Sequence, residues 1–281
     1  MTYQPIDGKP FSVTMGLRSL DLALWIEIDE NYESEIFLKQ KLFKQNHNQV
    51  FASISRGLEG SYETLNLIQN HLTVNFPSYF ESADFSQDGK HPLEVASRNV
   101  QEDLVVMSKI EDQWVMTAAS VCFPSRWDLT QKIGRNLHEI HAPVPEYEQR
   151  IGMATDVMFD KFTPDWPMWR INWTILDSSD LHLPFSANSS LGKSEPLSSG
   201  EFGEKTFLRI ERQTLRALPE SKDVLFTIKT YVASLAQVDA QDEHFRVNLA
   251  KTLLNVDEKT IEYKGWHSLW QNMKNWLETE K

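Results

Sequence analysis

Trp169-Arg-Ile-Asn-Trp-Thr-Ile175 alternates large apolar and polar side chains, the period-two signature of a strand with two different faces. Two similar runs follow it, Phe207-Leu-Arg-Ile-Glu-Arg212 and Val224-Leu-Phe-Thr-Ile-Lys-Thr-Tyr231, with Leu218-Pro219 as the break between them. Upstream, Asp103-Leu-Val-Val-Met107 and Trp114-Val-Met-Thr-Ala-Ala-Ser-Val-Cys122 flank Glu111-Asp112 and read as a hairpin. Together these runs predict one sheet of about five antiparallel strands.

Outside this centre the period turns helical. Leu17, Leu20, Leu24 and Ile28, then Tyr32, Ile36, Leu38 and Leu42, recur at helical spacing. Ser61 is placed to cap a further helix through Leu65, Ile68 and Leu72, which Phe76-Pro77 closes. The segment His244 to Val256 and the stripe Trp266, Leu269, Trp270, Met273, Trp276 and Leu277 read as helices at the other end. The order helices, sheet, helices predicts an α+β protein with its sheet covered by helices. Residues 1–281 form one domain in this reading, with helical extensions over about 1–95 and about 235–281. Residues 182–201, rich in serine with Gly192 and Gly200, read as a flexible loop.

Composition narrows the function. The 281 residues carry a net charge of −12, with 41% hydrophobic and 24% charged side chains, an ordinary globular mixture. The acidic balance lacks the positive field of a general nucleic-acid binder. No window approaches the ~18 consecutive apolar residues of a membrane span, and Met1-Thr-Tyr-Gln-Pro-Ile-Asp7 has no signal-peptide pattern, so the expected location is cytoplasmic. Cys122 stands alone, which excludes an intrachain disulfide, a four-cysteine zinc site and an iron–sulfur cluster held by this chain. Neither GxGxxG nor GxxxxGK[ST] occurs. Redox chemistry here must draw its electrons from another chain.

Chemistry concentrates in Ser120 to Pro145. Phe123-Pro-Ser-Arg-Trp127 leads into a helical segment carrying Leu129, Ile133, Leu137 and Ile140, which Pro143 and Pro145 end near Ala142. His138 and His141 share a face in its last turn. Histidines there serve equally to satisfy terminal carbonyls, and the pair lacks a third ligand for zinc. Haem iron needs one proximal imidazole, an apolar slot and cations for the propionates. Trp114, Phe123, Trp127, Trp169 and Trp173 suit a slot or a plain core; Arg126, Lys132, Arg135 and Arg170 are cations close in sequence. On the strand from Arg209 to Arg216, Arg209, Glu211 and Gln213 face one side while Arg212 and Thr214 face the other. That density of charge suits a paired network reaching Lys229 and Tyr231, or an exposed edge strand.

Seven blocks in order resemble the haem-dependent oxidative N-demethylase family, best known for the haem-bearing subunit of dimethylamine monooxygenase. They are Val100-Gln-Glu-Asp-Leu-Val105, Ser120-Val-Cys-Phe-Pro-Ser-Arg-Trp127, Lys132-Ile-Gly134, Ile140-His-Ala-Pro-Val-Pro145, Trp169-Arg-Ile-Asn-Trp173, Arg209 to Leu215, and Leu225-Phe-Thr-Ile-Lys-Thr-Tyr231. They span roughly residues 95 to 265, with a looser match at Leu17 to Lys41. The resemblance implies a PAS-like antiparallel sheet holding haem b. It further implies O₂-dependent demethylation of a small secondary amine to a primary amine and formaldehyde. Electrons would come from NADPH through a separate reductase carrying FMN and a 2Fe–2S cluster. It makes His141 the axial ligand, with His138 as fallback, and Arg126 and Lys132 propionate contacts. Arg209, Arg212 and Thr214 become distal groups that orient O₂ or substrate, with Glu211 or Glu258 as a carboxylate for the ammonium ion. A non-catalytic haem sensor or a small-ligand binder is the alternative.

Overall fold

The five long runs all pair as strands, and short segments add to both margins of their sheet. In the computed structural model, residues 2–12, 14–145, 147, 152–185 and 198–279 are described. The strands are β1 (Arg18–Ser19), β2 (Phe51–Ser53), β3 (Asp103–Ile110), β4 (Gln113–Ser120), β5 (Ser125–Trp127), β6 (Met168–Leu176), β7 (Leu183–Pro184), β8 (Phe207–Ala217) and β9 (Val224–Ser234). One seven-stranded sheet runs β1-β6-β8-β9-β3-β4-β2, antiparallel throughout, while β5 and β7 form a separate parallel pair.

The sheet therefore has seven strands rather than about five. The extra two, β1 and β2, are two and three residues long, too short for a period to register. They form because β6 and β4 offer unpaired backbone groups. The stretch Leu17 to Ile28 is accordingly not one helix: β1 is followed by a 3₁₀ turn, Leu22–Leu24, capped by Asp21.

Helices follow as α1 (Tyr32–Gln45), α2 (His47–Val50), α3 (Leu58–Asn75), α4 (Pro77–Phe80), α5 (Pro92–Ser97), α6 (Leu137–His141), α7 (Met153–Lys161), α8 (Ser199–Lys205), α9 (Leu235–Gln241), α10 (Phe245–Leu253), α11 (Glu258–Tyr263) and α12 (Trp270–Glu278). Of the expected 182–201 loop, residues 186–197 lie outside the described ones; its ends form β7 and the start of α8. Ser61 does not cap α3, which begins earlier at Leu58; its hydroxyl bonds the Gly57 carbonyl.

Both faces of the sheet are covered. On one, Leu104, Val106 and Leu225 pack with Leu65, Ile68 and Leu93, and Ile175, Leu208 and Ile210 pack with Leu249, Trp266 and Trp276. Each large apolar side chain so buried contributes roughly 1.5–3 kcal/mol relative to exposure. On the other, Val105, Met107, Leu215 and Val224 lie under Leu129, Leu137 and Phe159 from the connection between β4 and β6. That connection carries the histidines.

Candidate functional site

The chain leaves β4 through a turn held from beneath, where the Cys122 and Phe123 amides donate to the Asp103 carboxylate at 2.8 and 2.9 Å. The continuous helix expected from Leu129 to Ile140 is broken. A 3₁₀ turn, Leu129–Gln131, is followed by a tight turn with Gly134 at φ 76°, a conformation that favours glycine. Gly134 donates to the Met116 carbonyl and Met116 to the Arg135 carbonyl, so the turn docks on the outer margin of β4. Asn136 then restarts the helix with a capping box completed by Glu139.

In α6 the two histidines differ in their bonding. His138 Nε2 lies against Asp156 Oδ2 at 2.5 Å. His141 Nδ1 sits 2.8 Å from the Leu137 carbonyl. A carbonyl only accepts, so Nδ1 carries the proton and Nε2 the lone pair. Burial, with the fields of Lys132, Arg170 and His138 added, pushes the His141 imidazole down to about 4, against a weaker upward pull from the Leu137 bond. The ring is therefore neutral at pH 7. It stacks on Tyr147, with centroids 4.6 Å apart and planes at 9°.

Lys132 donates to the Ile140 carbonyl at 2.6 Å and lies over the Trp127 ring at 5.5 Å. Burial lowers its ammonium. The structure thus joins Lys132 to the His141 turn. Arg126 is placed elsewhere: it ion-pairs with Asp177, just beyond the end of β6, and its φ of 58° is unusual for a side-chain-bearing residue.

The strand wall on this side comes from β6 and β8. Arg170 is registered with Gln213, and Asn172 with Glu211, so all four share one face. Glu211 accepts from Asn172 Nδ2 at 3.2 Å and from Gln213 Nε2 at 3.0 Å. Tyr263 and Lys264 reach the same wall from the end of α11, which stops at Gly265 with φ 69°. Lys264 donates to the Trp173 carbonyl at 2.8 Å. Burial pushes its ammonium down to about 8, Glu211 opposing and Arg170 adding to the shift. Nothing in Glu262-Tyr-Lys-Gly265 signals this role; only the tertiary fold brings it here.

The distal trio separates. Arg209 is 0% exposed and donates to the Leu181 and Phe123 carbonyls at 3.1 and 2.5 Å. Arg212 and Thr214 point to the opposite face, because side chains alternate along a strand. There Arg212 bonds the Leu24 and Trp25 carbonyls, and the Thr214 hydroxyl meets that of Thr227. Trp169 and Trp173 also fall on that opposite face, which takes them out of the expected slot. Glu258 is engaged with His267 in an exposed pair. Lys229 does join a network, with Asp29 at 3.0 Å and Glu35 at 3.4 Å.

No group of three or more His, Cys, Asp or Glu able to hold a metal ion occurs among the described residues. Haem asks for less. One neutral imidazole with a proton-free Nε2 and buried cations nearby fit it. The buried Arg170 Nε, which has no hydrogen-bond partner, also suits an acidic ligand. No helix among the described residues is long and apolar enough to cross a membrane. Residues 16–274 match the family described as haem-dependent oxidative N-demethylase, alpha subunit-like. With a match of that extent the chain belongs to this haem-dependent oxidative N-demethylase alpha subunit-like family.

Proposed function

We propose that this chain is the haem-bearing subunit of an oxygenase that removes a methyl group from a small secondary amine. Haem b would sit on His141 inside a PAS-like sheet. A separate reductase with FMN and a 2Fe–2S cluster would bring electrons from NADPH. The family description carries haem dependence, oxidative N-demethylation and a partner subunit. The observation that supports the residue assignment is the His141 tautomer, with Nδ1 committed to Leu137 and Nε2 proton-free. In the overall reaction the methyl carbon is oxidised and its C–N bond breaks. Amine, O₂, two electrons and two protons give primary amine, formaldehyde and water.

Haem, when bound, supplies the O₂ and one-electron chemistry. The chain supplies position and charge. The Leu137 carbonyl fixes the imidazole's orientation, and Tyr147 holds its plane. Lys132, tied to the Ile140 carbonyl, keeps a positive charge beside that turn. Glu211, oriented by Asn172 and Gln213, offers an alkylammonium ion a fixed carboxylate. Arg209 acts as a positioning residue, because its donors are bound to the two carbonyls that border this face. Arg126 is the weaker choice for a propionate, since Asp177 already pairs with it.

The test is an absorption spectrum of the purified protein, with haem added if it is colourless, and of its His141→Ala variant. A stoichiometric Soret band lost in the variant, with native far-ultraviolet circular dichroism in both, is the expected result. Amine-dependent O₂ consumption then separates the enzyme from a haem sensor. Failure of the wild type to take up haem overturns the proposal.

A further inference from the structure

Among the described residues, the strand wall opposite His141 holds more positive charge than its carboxylates balance. The field of Arg170 reaches Lys264, and among the described residues Glu211 is the one carboxylate whose field reaches both cations. Glu211 offsets only part of that charge, since it is shared with Asn172, Gln213 and Arg209, whose Nε approaches at 3.5 Å. Arg170 Nε is left buried without any partner. Lys132, across at the His141 turn, adds a third partly buried cation. Like charges held together away from water are costly unless an anion offsets them, and a guanidinium matches a carboxylate with two parallel donors.

We propose that Arg170 and Lys264 form a carboxylate-recognition site on the wall facing His141. The carboxylate has two possible sources, a haem propionate or an acid group on the amine substrate, as in an N-methyl amino acid. The first source rests on the haem reading above. The second would move the substrate class from simple dialkylamines to amino acids. Neither Arg126 nor the opposite-face Arg212 can supply this contact, since each is already bound elsewhere.

Haem and its dimethyl ester, in which both propionates are blocked, are titrated into the haem-free wild type and the Arg170→Gln and Lys264→Met variants. The Soret band and tryptophan quenching follow binding. N-methylglycine and dimethylamine are then compared as perturbants of the loaded protein's Soret band. If propionate is the ligand, the ester binds wild type about tenfold to hundredfold more weakly than haem, the loss expected for one charge-assisted contact, and the gap shrinks in R170Q. If substrate is the source, haem and ester bind alike, N-methylglycine binds at least about tenfold tighter than dimethylamine, and R170Q abolishes that preference. No ester gap together with no N-methylglycine preference overturns the proposal, and this comparison needs only wild-type protein. Failure of both porphyrins to bind refutes the haem reading instead. The site is then decided by calorimetry with N-methylglycine, where binding lost in R170Q supports it and no binding to wild type overturns it.

Discussion

Replacing Arg209 by Met tests whether the arginine strand clamps the site rather than serving it chemically. The guanidinium is 0% exposed and bridges the Leu181 and Phe123 carbonyls, with Thr230 Oγ1 at 3.4 Å. Each carbonyl left without a donor costs roughly 1–3 kcal/mol. Asp103, whose carboxyl burial pushes up, also loses part of the positive field opposing that shift, although Lys39 remains. The sum is about 4 kcal/mol, inside the ~3–5 kcal/mol found when one partner is removed from a buried charge network. For a chain of this size that corresponds to a fall of roughly 8–16 °C in melting temperature, at about 2–4 °C per kcal/mol. Arg209→Lys keeps the charge but not the fork that spans two carbonyls, so it should lose about half as much. Urea unfolding of haem-free protein, followed by circular dichroism, measures both. A Met variant within about 1 kcal/mol of wild type, or a Lys variant less stable than Met, would refute the clamp.

Glu102 is 0% exposed and its carboxyl is pushed up to about 7, chiefly by burial, above an unfolded value of 4.5. The folded state therefore holds that proton more tightly, and stability is lost as pH rises from about 4.5 through 7. Glu102→Gln retains an acceptor for the Glu27 amide, so it should match wild type near pH 4 and exceed it by about 2–3 kcal/mol at pH 8. A stability difference that does not change with pH would contradict this assignment. Asn136→Ala removes the capping box of α6 and should cost about 1 kcal/mol. Hydrogen exchange should speed up at Leu137–His141 while β8 and β9 stay protected; uniform acceleration would argue against a local cap.

The long strands were legible because each carries its own period. Trp169 to Ile175 alternates strongly enough to assign its two faces, and the same rule placed Arg209 and Arg212 on opposite sides of β8. What that rule did not reveal is which face meets the histidines, since the choice depends on where the β4–β6 connection folds back. Gly134 breaks the helix that the spacing of Leu129, Ile133, Leu137 and Ile140 predicts, because one left-handed residue outweighs a four-residue apolar pattern. His141 was legible as the more promising ligand only through the family blocks. Its distinction from His138 comes from Leu137 and Asp156, partners 4 and 18 residues away. Lys264 was invisible, because its chemistry exists only beside Arg170 and Glu211.

The margin of β6 has a consequence for the whole chain. β1 pairs only with Met168 and Trp169, so among the described residues most of that margin has no neighbouring strand. Its outward carbonyls at Trp173 and Ile175 accept instead from Lys264 Nζ and Trp266 Nε1, side chains following α11. The C-terminal segment therefore works as a plug that denies another chain a template for strand addition. Any cut that releases the residues after α11 would turn a quiet border into an adhesive one, linking integrity of the chain's end to its colloidal behaviour.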